Sequence, residues 1–111
     1  DNTSNRAGGG IEAVAGTTDL DRVDLSGNST GAAPGNGGGL HLTGAGTVDI
    51  TDSLVVTNTA AAEGGGLWNS ATGTMTVGDT TISGNQAPVG PDVFNDGGVF
   101  TVDGAPVPVG G

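Results

Sequence analysis

The stretch GGGLWNSATGTMTVGDTTISGN, residues 64–85, decides the fold of this chain. Three glycines open it, threonines alternate with apolar residues in its middle, and Ser-Gly-Asn closes it. The opening recurs as GGGI from Gly8 and GGGL from Gly37, so the intervals are 29 (37 − 8) and 27 (64 − 37) residues. A degenerate form, GPDVFN, starts 26 residues later (90 − 64) at Gly90. One pattern repeated with a period in the high twenties predicts a repeat protein.

A second marker keeps the same register. An asparagine closes each of the three regular repeats, 12 residues after a glycine (28 − 16, 58 − 46 and 85 − 73), namely Asn28, Asn58 and Asn85. Asparagine tolerates left-handed backbone conformations, and stacked amides can hydrogen-bond to one another along an axis. We therefore expect these three asparagines to form a structural ladder.

Aligned on these markers, the aliphatic residues fall into columns. The three clearest columns are Ile11, Leu40, Leu67 and Val93; Leu20, Ile50, Val77 and Val102; and Leu25, Val55, Ile82 and Val107. Polar residues alternate with them at a period of two, which is typical of strands with one buried face. We expect the core to contain Ile50, Val55, Leu67, Val77 and Ile82.

Evenly spaced strands with one aliphatic column each predict an all-β parallel solenoid of about four coils, with 26–29 residues per coil. Residues 1–111 would form one domain, with coils at about 8–36, 37–63, 64–89 and 90–111 and with residues 1–7 ending a preceding coil. The glycine runs would lie at corners, where positive φ and close backbone approach are required.

Composition excludes several classes of protein. The net charge is −10, and Arg6 and Arg22 are the only cationic residues. A nucleic-acid-binding surface needs clustered positive charge, so nucleic acid is excluded as a partner. No apolar run approaches the roughly 20 residues that span a bilayer, so we expect no membrane insertion. There is no cysteine, so no disulfide stabilises the chain.

The GGG[IL] openings and [LVI]-[ST]-G-N closings resemble the right-handed parallel β-helix repeats of bacterial secreted and surface proteins, including polymorphic outer-membrane proteins and autotransporter-like adhesins. In such proteins a GPDV stretch resembles an end-of-array signature, matched here by residues 90–93. Two departures are the absence of Ser-Gly before Asn58 and the presence of Gly110 where a fourth asparagine is expected. The resemblance implies an extracellular or cell-surface location and a non-catalytic structural or adhesion scaffold.

Carboxylates form the first candidate site. Asp19 and Asp49 share one outward column, and Asp21 and Asp103 share another. Paired carboxylates can bind calcium, whereas a solvated acidic face is the simpler interpretation of the same pattern. The chain carries no EF-hand loop and no Asp-rich calcium nonapeptide. We therefore expect a calcium dependence that is weak or absent, and no other cofactor.

An aromatic column forms the second candidate site. His41, Trp68 and Phe94 follow one another in register, and Trp68 with Phe94 could stack on a sugar ring. The alternative is a ladder of rings stacked on one another. A glycan is therefore retained as a partner, and the alternative function is a carbohydrate-binding or carbohydrate-processing module. The β-helix lyases use a basic residue as proton acceptor, and the hydrolases carry Asn-Thr-Asp, Asp-Asp and Gly-His-Gly motifs. This chain has none of these motifs and no lysine, so we expect no enzyme.

The ends of the chain suggest assembly. Aligned on the motif N-x-A, Asn2 falls where an aliphatic residue is expected, and no capping element is evident at either end. Because a solenoid end exposes unpaired strand groups, we expect stacking on other coils of a longer solenoid or end to end on copies of this chain, which gives filaments. Pro106 and Pro108 weigh against such stacking, since proline marks a protected edge.

Overall fold

The computed structural model describes residues 2–4, 7–31 and 35–110, so Arg6 and the terminal residues of the expected domain, 1 and 111, lie outside it. The described residues form short strands and no helix, and hence no helix long and apolar enough to cross a membrane. The strands are β1 (Thr3–Ser4), β2 (Ile11–Ala13), β3 (Thr17–Asp21), β4 (Asp24–Ser26), β5 (Ser29–Thr30), β6 (Leu40–Leu42), β7 (Thr47–Thr51), β8 (Leu54–Val56), β9 (Leu67–Asn69), β10 (Thr74–Gly78), β11 (Thr81–Ser83), β12 (Val93–Asn95), β13 (Val99–Val102) and β14 (Ala105–Pro106).

Three main sheets of parallel strands run along the stack of coils, and β1 pairs with β5 in a separate two-stranded parallel sheet. The first sheet contains β2, β6, β9 and β12; the second contains β3, β7, β10 and β13, with β14 added at its edge; the third contains β4, β8 and β11. The register is the one expected, since Ile50 lies between Leu20 and Val77 in the second sheet. Likewise Val55 lies between Leu25 and Ile82 in the third. The structure confirms an all-β parallel solenoid of about four coils.

The core is a thin column of aliphatic side chains between the three sheets. Ile50, Val55 and Leu67 are fully buried, and Val77 is 1 % exposed. Ile82, expected in the same core, is only partly buried and packs against its margin. The reason is topological, because the third sheet ends at β11 and no strand covers Ile82 on the following level.

The three-glycine run is explained by the spacing between coils. In the second run, Gly37 has a φ of 67°, which side-chain-bearing residues rarely adopt. A Cβ on Gly38 would lie 2.3 Å from the Gly65 carbonyl oxygen of the next coil. A Cβ on Gly39 would lie 3.1 Å from Nδ2 of the Asn58 side chain. The first glycine therefore makes the turn, and the other two let the next coil and the asparagine ladder approach.

One corner uses a non-glycine residue where its neighbours use glycine. Gly27 and Gly84 have φ values of 68° and 67°, and Thr57, at the equivalent place in the coil between them, has a φ of 55°. Positive φ is strained for a β-branched residue. The missing Ser-Gly before Asn58 is thus a substitution that keeps the backbone path and accepts local strain.

The final coil departs from the sequence expectation. Val107 was expected to continue the column of Val55 and Ile82, but β14 turns back and pairs antiparallel with β13. The Val107 N–H donates to the Phe100 carbonyl oxygen at 2.8 Å, and Gly110 N–H donates to the Asn95 carbonyl oxygen at 2.9 Å. Val107 packs against the margin of the core, as its column position predicts, but it adds no fourth strand to the third sheet, because this segment covers the edges of the other two sheets.

Candidate functional site

The aromatic column lies on the outer surface of the first sheet. Strand pairing aligns Glu12 with His41, His41 with Trp68, and Trp68 with Phe94. The His41 and Trp68 rings are stacked at 4.4 Å between centroids, and the Trp68 and Phe94 rings lie nearly parallel at 6.3 Å. The Trp68 indole N–H donates to Glu63 Oε1 at 3.0 Å. The rings thus stack on one another along the axis of the solenoid.

Burial limits what these rings can contact. His41, Trp68 and Phe94 are 6 %, 9 % and 6 % exposed. A sugar ring binds by covering an open aromatic face, whereas both neighbouring coils already cover the faces of Trp68. The geometry is therefore that of a structural stack. Glycan stacking on Trp68 and Phe94 stays a prediction, and it would require the rings to move apart.

His41 has two polar neighbours at one nitrogen. Glu12 Oε2 lies 3.4 Å from Nδ1, and Thr43 Oγ1 lies 2.8 Å from the same atom. In a nucleophile-activating triad, the hydroxyl and the carboxylate occupy opposite nitrogens of the imidazole. Since both contact Nδ1 here, the arrangement orients the ring and does not relay a proton through it.

Burial lowers the pKa of His41 below its ordinary value of 6.5, and the neighbouring Glu12 carboxylate offsets part of that effect. The folded state therefore binds a proton less readily than the unfolded chain. We expect the free energy of unfolding to fall as the pH drops through 6.5 towards the lowered native pKa, and His41 to contribute no pH dependence above that range. Urea unfolding at a series of pH values measures how the free energy of unfolding changes with pH.

His41→Phe is the matched control, because it keeps a stacking ring and removes the only imidazole of the chain. The slope between about pH 6.5 and the native pKa should disappear in this variant, while carboxylate effects at lower pH remain. An NMR titration of His41 reporting a pKa above 6.5 would contradict the expectation.

The acidic columns lie on the outer face of the second sheet. Asp19 and Asp49 are directly paired neighbours, and Asp21 pairs with Thr51, whose hydroxyl donates to Asp21 Oδ1 at 3.3 Å. Asp103 instead accepts a hydrogen bond from the Asp79 N–H at the other end of the sheet. Among the described residues, no three histidine, cysteine or carboxylate side chains are close enough to hold a metal ion. Asp19 and Asp49 thus form an isolated carboxylate pair on the surface.

The asparagine ladder lies at the corner between the third and first sheets. Asn28 donates its backbone N–H and its Nδ2 to Asn58 Oδ1 at 3.0 and 3.1 Å. Asn58 repeats both bonds to Asn85 Oδ1 at 2.9 and 3.0 Å. The Nδ2 atoms of Asn58 and Asn85 also donate to the Leu25 and Val55 carbonyl oxygens, both at 2.8 Å. Buried amides cost little when they are satisfied in this way.

The ladder continues beyond the three repeats at both ends. Asn2 donates its N–H to Asn28 Oδ1 at 2.8 Å, so it is a ladder asparagine, and its assignment to an aliphatic position was wrong. At the other end, Asn85 Nδ2 donates to Asp92 Oδ1 at 2.9 Å. The fourth asparagine of the ladder was expected at the position of Gly110. Asp92 occupies that place in the ladder instead. The carboxylate has only acceptor oxygens and therefore terminates the ladder.

A second polar pair was missed by the sequence reasoning. Asn69 and Asn95 are paired in the first sheet, and Asn69 Nδ2 donates to Asn95 Oδ1 at 3.2 Å. Both are buried, at 0 % and 2 % exposed, and Leu42 holds the equivalent position one coil earlier. The spacing of 26 residues (95 − 69) equals that of Leu67 and Val93 and is the signal that could have revealed the pair.

No protein-family model matches this chain, and comparisons with characterised proteins and with solved structures found no significant similarity. The structure displays the solenoid architecture that the resemblance to secreted β-helix repeats implies.

Proposed function

We propose that this chain is a non-catalytic structural scaffold of an extracellular or cell-surface protein, with adhesion as its role. The observation that carries the proposal is the hydrogen-bonded asparagine ladder from Asn2 to Asp92, which ties every coil to the next. Such a continuous axial network makes a rigid support for outward-facing residues. The resemblance to secreted repeats and the strongly acidic composition support an extracellular location.

The polar side chains are used for structure and not for chemistry. His41 is held through one nitrogen, and the buried asparagines are committed to axial hydrogen bonds. The outer faces of the second and third sheets carry mainly threonine, serine and aspartate, and no group of three metal-binding side chains lies among the described residues. The arrangement favours a scaffold over the alternative carbohydrate-processing module.

We do not extend the proposal to end-to-end filaments. In the first three coils, the second residue of the glycine run is a glycine because the next coil approaches it closely, whereas in the final coil that residue is Pro91. A coil stacked beyond it at the same spacing would place a carbonyl oxygen against the Pro91 ring, and β14 covers part of the same end.

Two measurements test the scaffold function. Beads coated with the folded chain should be retained several-fold better on cell surfaces or extracellular proteins than beads coated with a core-disrupted variant. Oligosaccharides should leave the fluorescence of Trp68, the only tryptophan, unchanged, and they should not be cleaved. Equal retention of both kinds of bead would contradict adhesion, and a saturable fluorescence change or cleavage would favour the carbohydrate module.

A further inference from the structure

The three main sheets extend to different levels at the final coil of the described residues. On the side of the final coil, the second sheet extends to β13 and β14, whereas the third sheet stops at β11. The Thr81 N–H and the Ser83 carbonyl group are bonded to the preceding coil, through Ser53 and Thr57. Backbone groups alternate between the two edges of a parallel strand. The N–H and C=O of Ile82 therefore point to the outer edge, where no hydrogen bond joins them to the described part of the final coil.

An open cleft of about 420 Å³ lies beside this edge. Its walls are apolar, and they include Ile82 from β11, Val93 and Val102 from the final coil, and Pro106 and Val107 from the returning segment. The partly buried aliphatic residues at this end of the core therefore line a cavity and are not sealed beneath another strand. Its one charged lining residue is Asp92, which terminates the asparagine ladder.

A second copy of this chain does not fit the site as a stacked coil. The second sheet rises two strands above the level of β11, a step of roughly 10 Å at ordinary strand spacing. The next coil of a stacked copy would place strands in both sheets at one level, so β13 and β14 would block it. Pro91 adds a clash at the corner, as described above. The space accommodates one extended strand, not a coil.

Charge indicates the chemistry of that strand. The chain carries a net charge of −10, and Arg22, the only arginine among the described residues, pairs with Asp21 in the first coil, at the far end of the stack. Around the cleft, Asp92 lines the wall, and Asp79 and Asp103 meet at the corner that leads into β11. An apolar cleft with one carboxylate in its wall and two more at the adjoining corner is complementary to a basic segment with aliphatic anchors.

We propose that the outer edge of β11 and the adjoining cleft bind an extended basic segment of a partner protein, which adds a strand to the third sheet. One aliphatic side chain of the segment covers Ile82, and a lysine or arginine next to it contacts Asp92. This interaction surface does not depend on the adhesion function, because the scaffold could adhere through other faces and still bind a peptide here.

The test uses a synthetic eight-residue peptide of alternating lysine and valine. Calorimetry measures its binding to the protein, and hydrogen exchange of assigned amides locates the site. We expect saturable binding and slower exchange of the Ile82 amide, while the Ile50 amide, deep in the stack, is unaffected. The same peptide with every backbone nitrogen methylated cannot donate a backbone hydrogen bond to β11 in either strand direction, and its affinity should fall at least about tenfold.

Asp92→Asn and Asp19→Asn form a matched pair of variants. Each removes one charge, and the amide oxygen that Asp92→Asn introduces can still accept the hydrogen bonds from Asn85. Asp92→Asn should weaken peptide binding several-fold and reduce its salt dependence, whereas Asp19→Asn, in the first coil, should leave both unchanged.

Three outcomes would overturn the proposal: no binding of the peptide, equal affinity for its N-methylated form, or the same loss of peptide affinity in Asp92→Asn and Asp19→Asn. Protection of the Ile82 amide that rises with protein concentration in the absence of peptide would assign the site to a second copy instead. These measurements involve neither adhesion nor glycans. A negative result would therefore reject the peptide-binding site without bearing on the scaffold function.

Discussion

Replacing Ile50 with aspartate is expected to lower the free energy of unfolding of the chain by about 4 kcal/mol or more. Ile50 is fully buried in the middle of the second sheet, between Leu20 and Val77. The substitution removes apolar burial and places a carboxylate where no partner is available, which costs about 4 kcal/mol or more. Since a small domain is stable by only about 5–15 kcal/mol, that loss removes much of its stability. Urea unfolding followed by circular dichroism measures the loss.

Leu54→Asp provides the control for Ile50→Asp. Leu54 lies on the neighbouring β8 but is 43 % exposed, so the same kind of change leaves the new carboxylate in water. We expect a loss below about 1 kcal/mol. If Ile50→Asp kept the unfolding midpoint of the parent chain, the register of the second sheet would be wrong.

Replacing Gly38 with alanine is expected to destabilise the stack by about 3 kcal/mol, although it adds only a methyl group. The new Cβ would lie 2.3 Å from the Gly65 carbonyl oxygen and 2.5 Å from that of Thr59. Both are backbone atoms, so neither can rotate away as a flexible side chain could. Relief of the clash requires the coils to separate, which weakens axial hydrogen bonds such as Gly38 N–H to the Gly64 carbonyl oxygen.

Gly78→Ala is the matched control for Gly38→Ala. A Cβ at Gly78 meets no atom within 4 Å, and its φ is not positive. Alanine there should be neutral or slightly stabilising, because it restricts the unfolded chain more than glycine does. Equal stability of the two alanine variants would show that the coils are not held at the spacing described.

The core columns were predictable because they follow from local spacing. Strand side chains alternate with a period of two, and a solenoid repeats its cross-section, so the distance between glycine runs fixes which residues stack. Ile50 and Val55 therefore fell in the right columns from the sequence. The asparagine ladder could be anticipated for the same reason, since each amide meets its own equivalent one coil away.

Prediction failed at the ends of the stack, where repetition stops. The column rule placed Val107 over Ile82, but the actual path depends on competition between closing the third sheet and covering the edges of the other two. The alignment on the local motif N-x-A displaced Asn2 from the ladder, although its spacing of 26 residues from Asn28 (28 − 2) is that of one coil.

The sequence by itself determined the repeat, the all-β class, the parallel stacking and the aliphatic residues of each column. All of these follow from the spacing of the three-glycine run, which occurs three times in the chain. Only the tertiary structure decided that Asp92 terminates the ladder, that the rings of Trp68 and Phe94 are buried, and that a cleft opens beside Ile82. The end of the ladder and the cleft depend on which strand edges remain uncovered after the coils have stacked. The burial of the rings depends on how closely equivalent residues of neighbouring coils pack, which the repeat spacing alone does not fix.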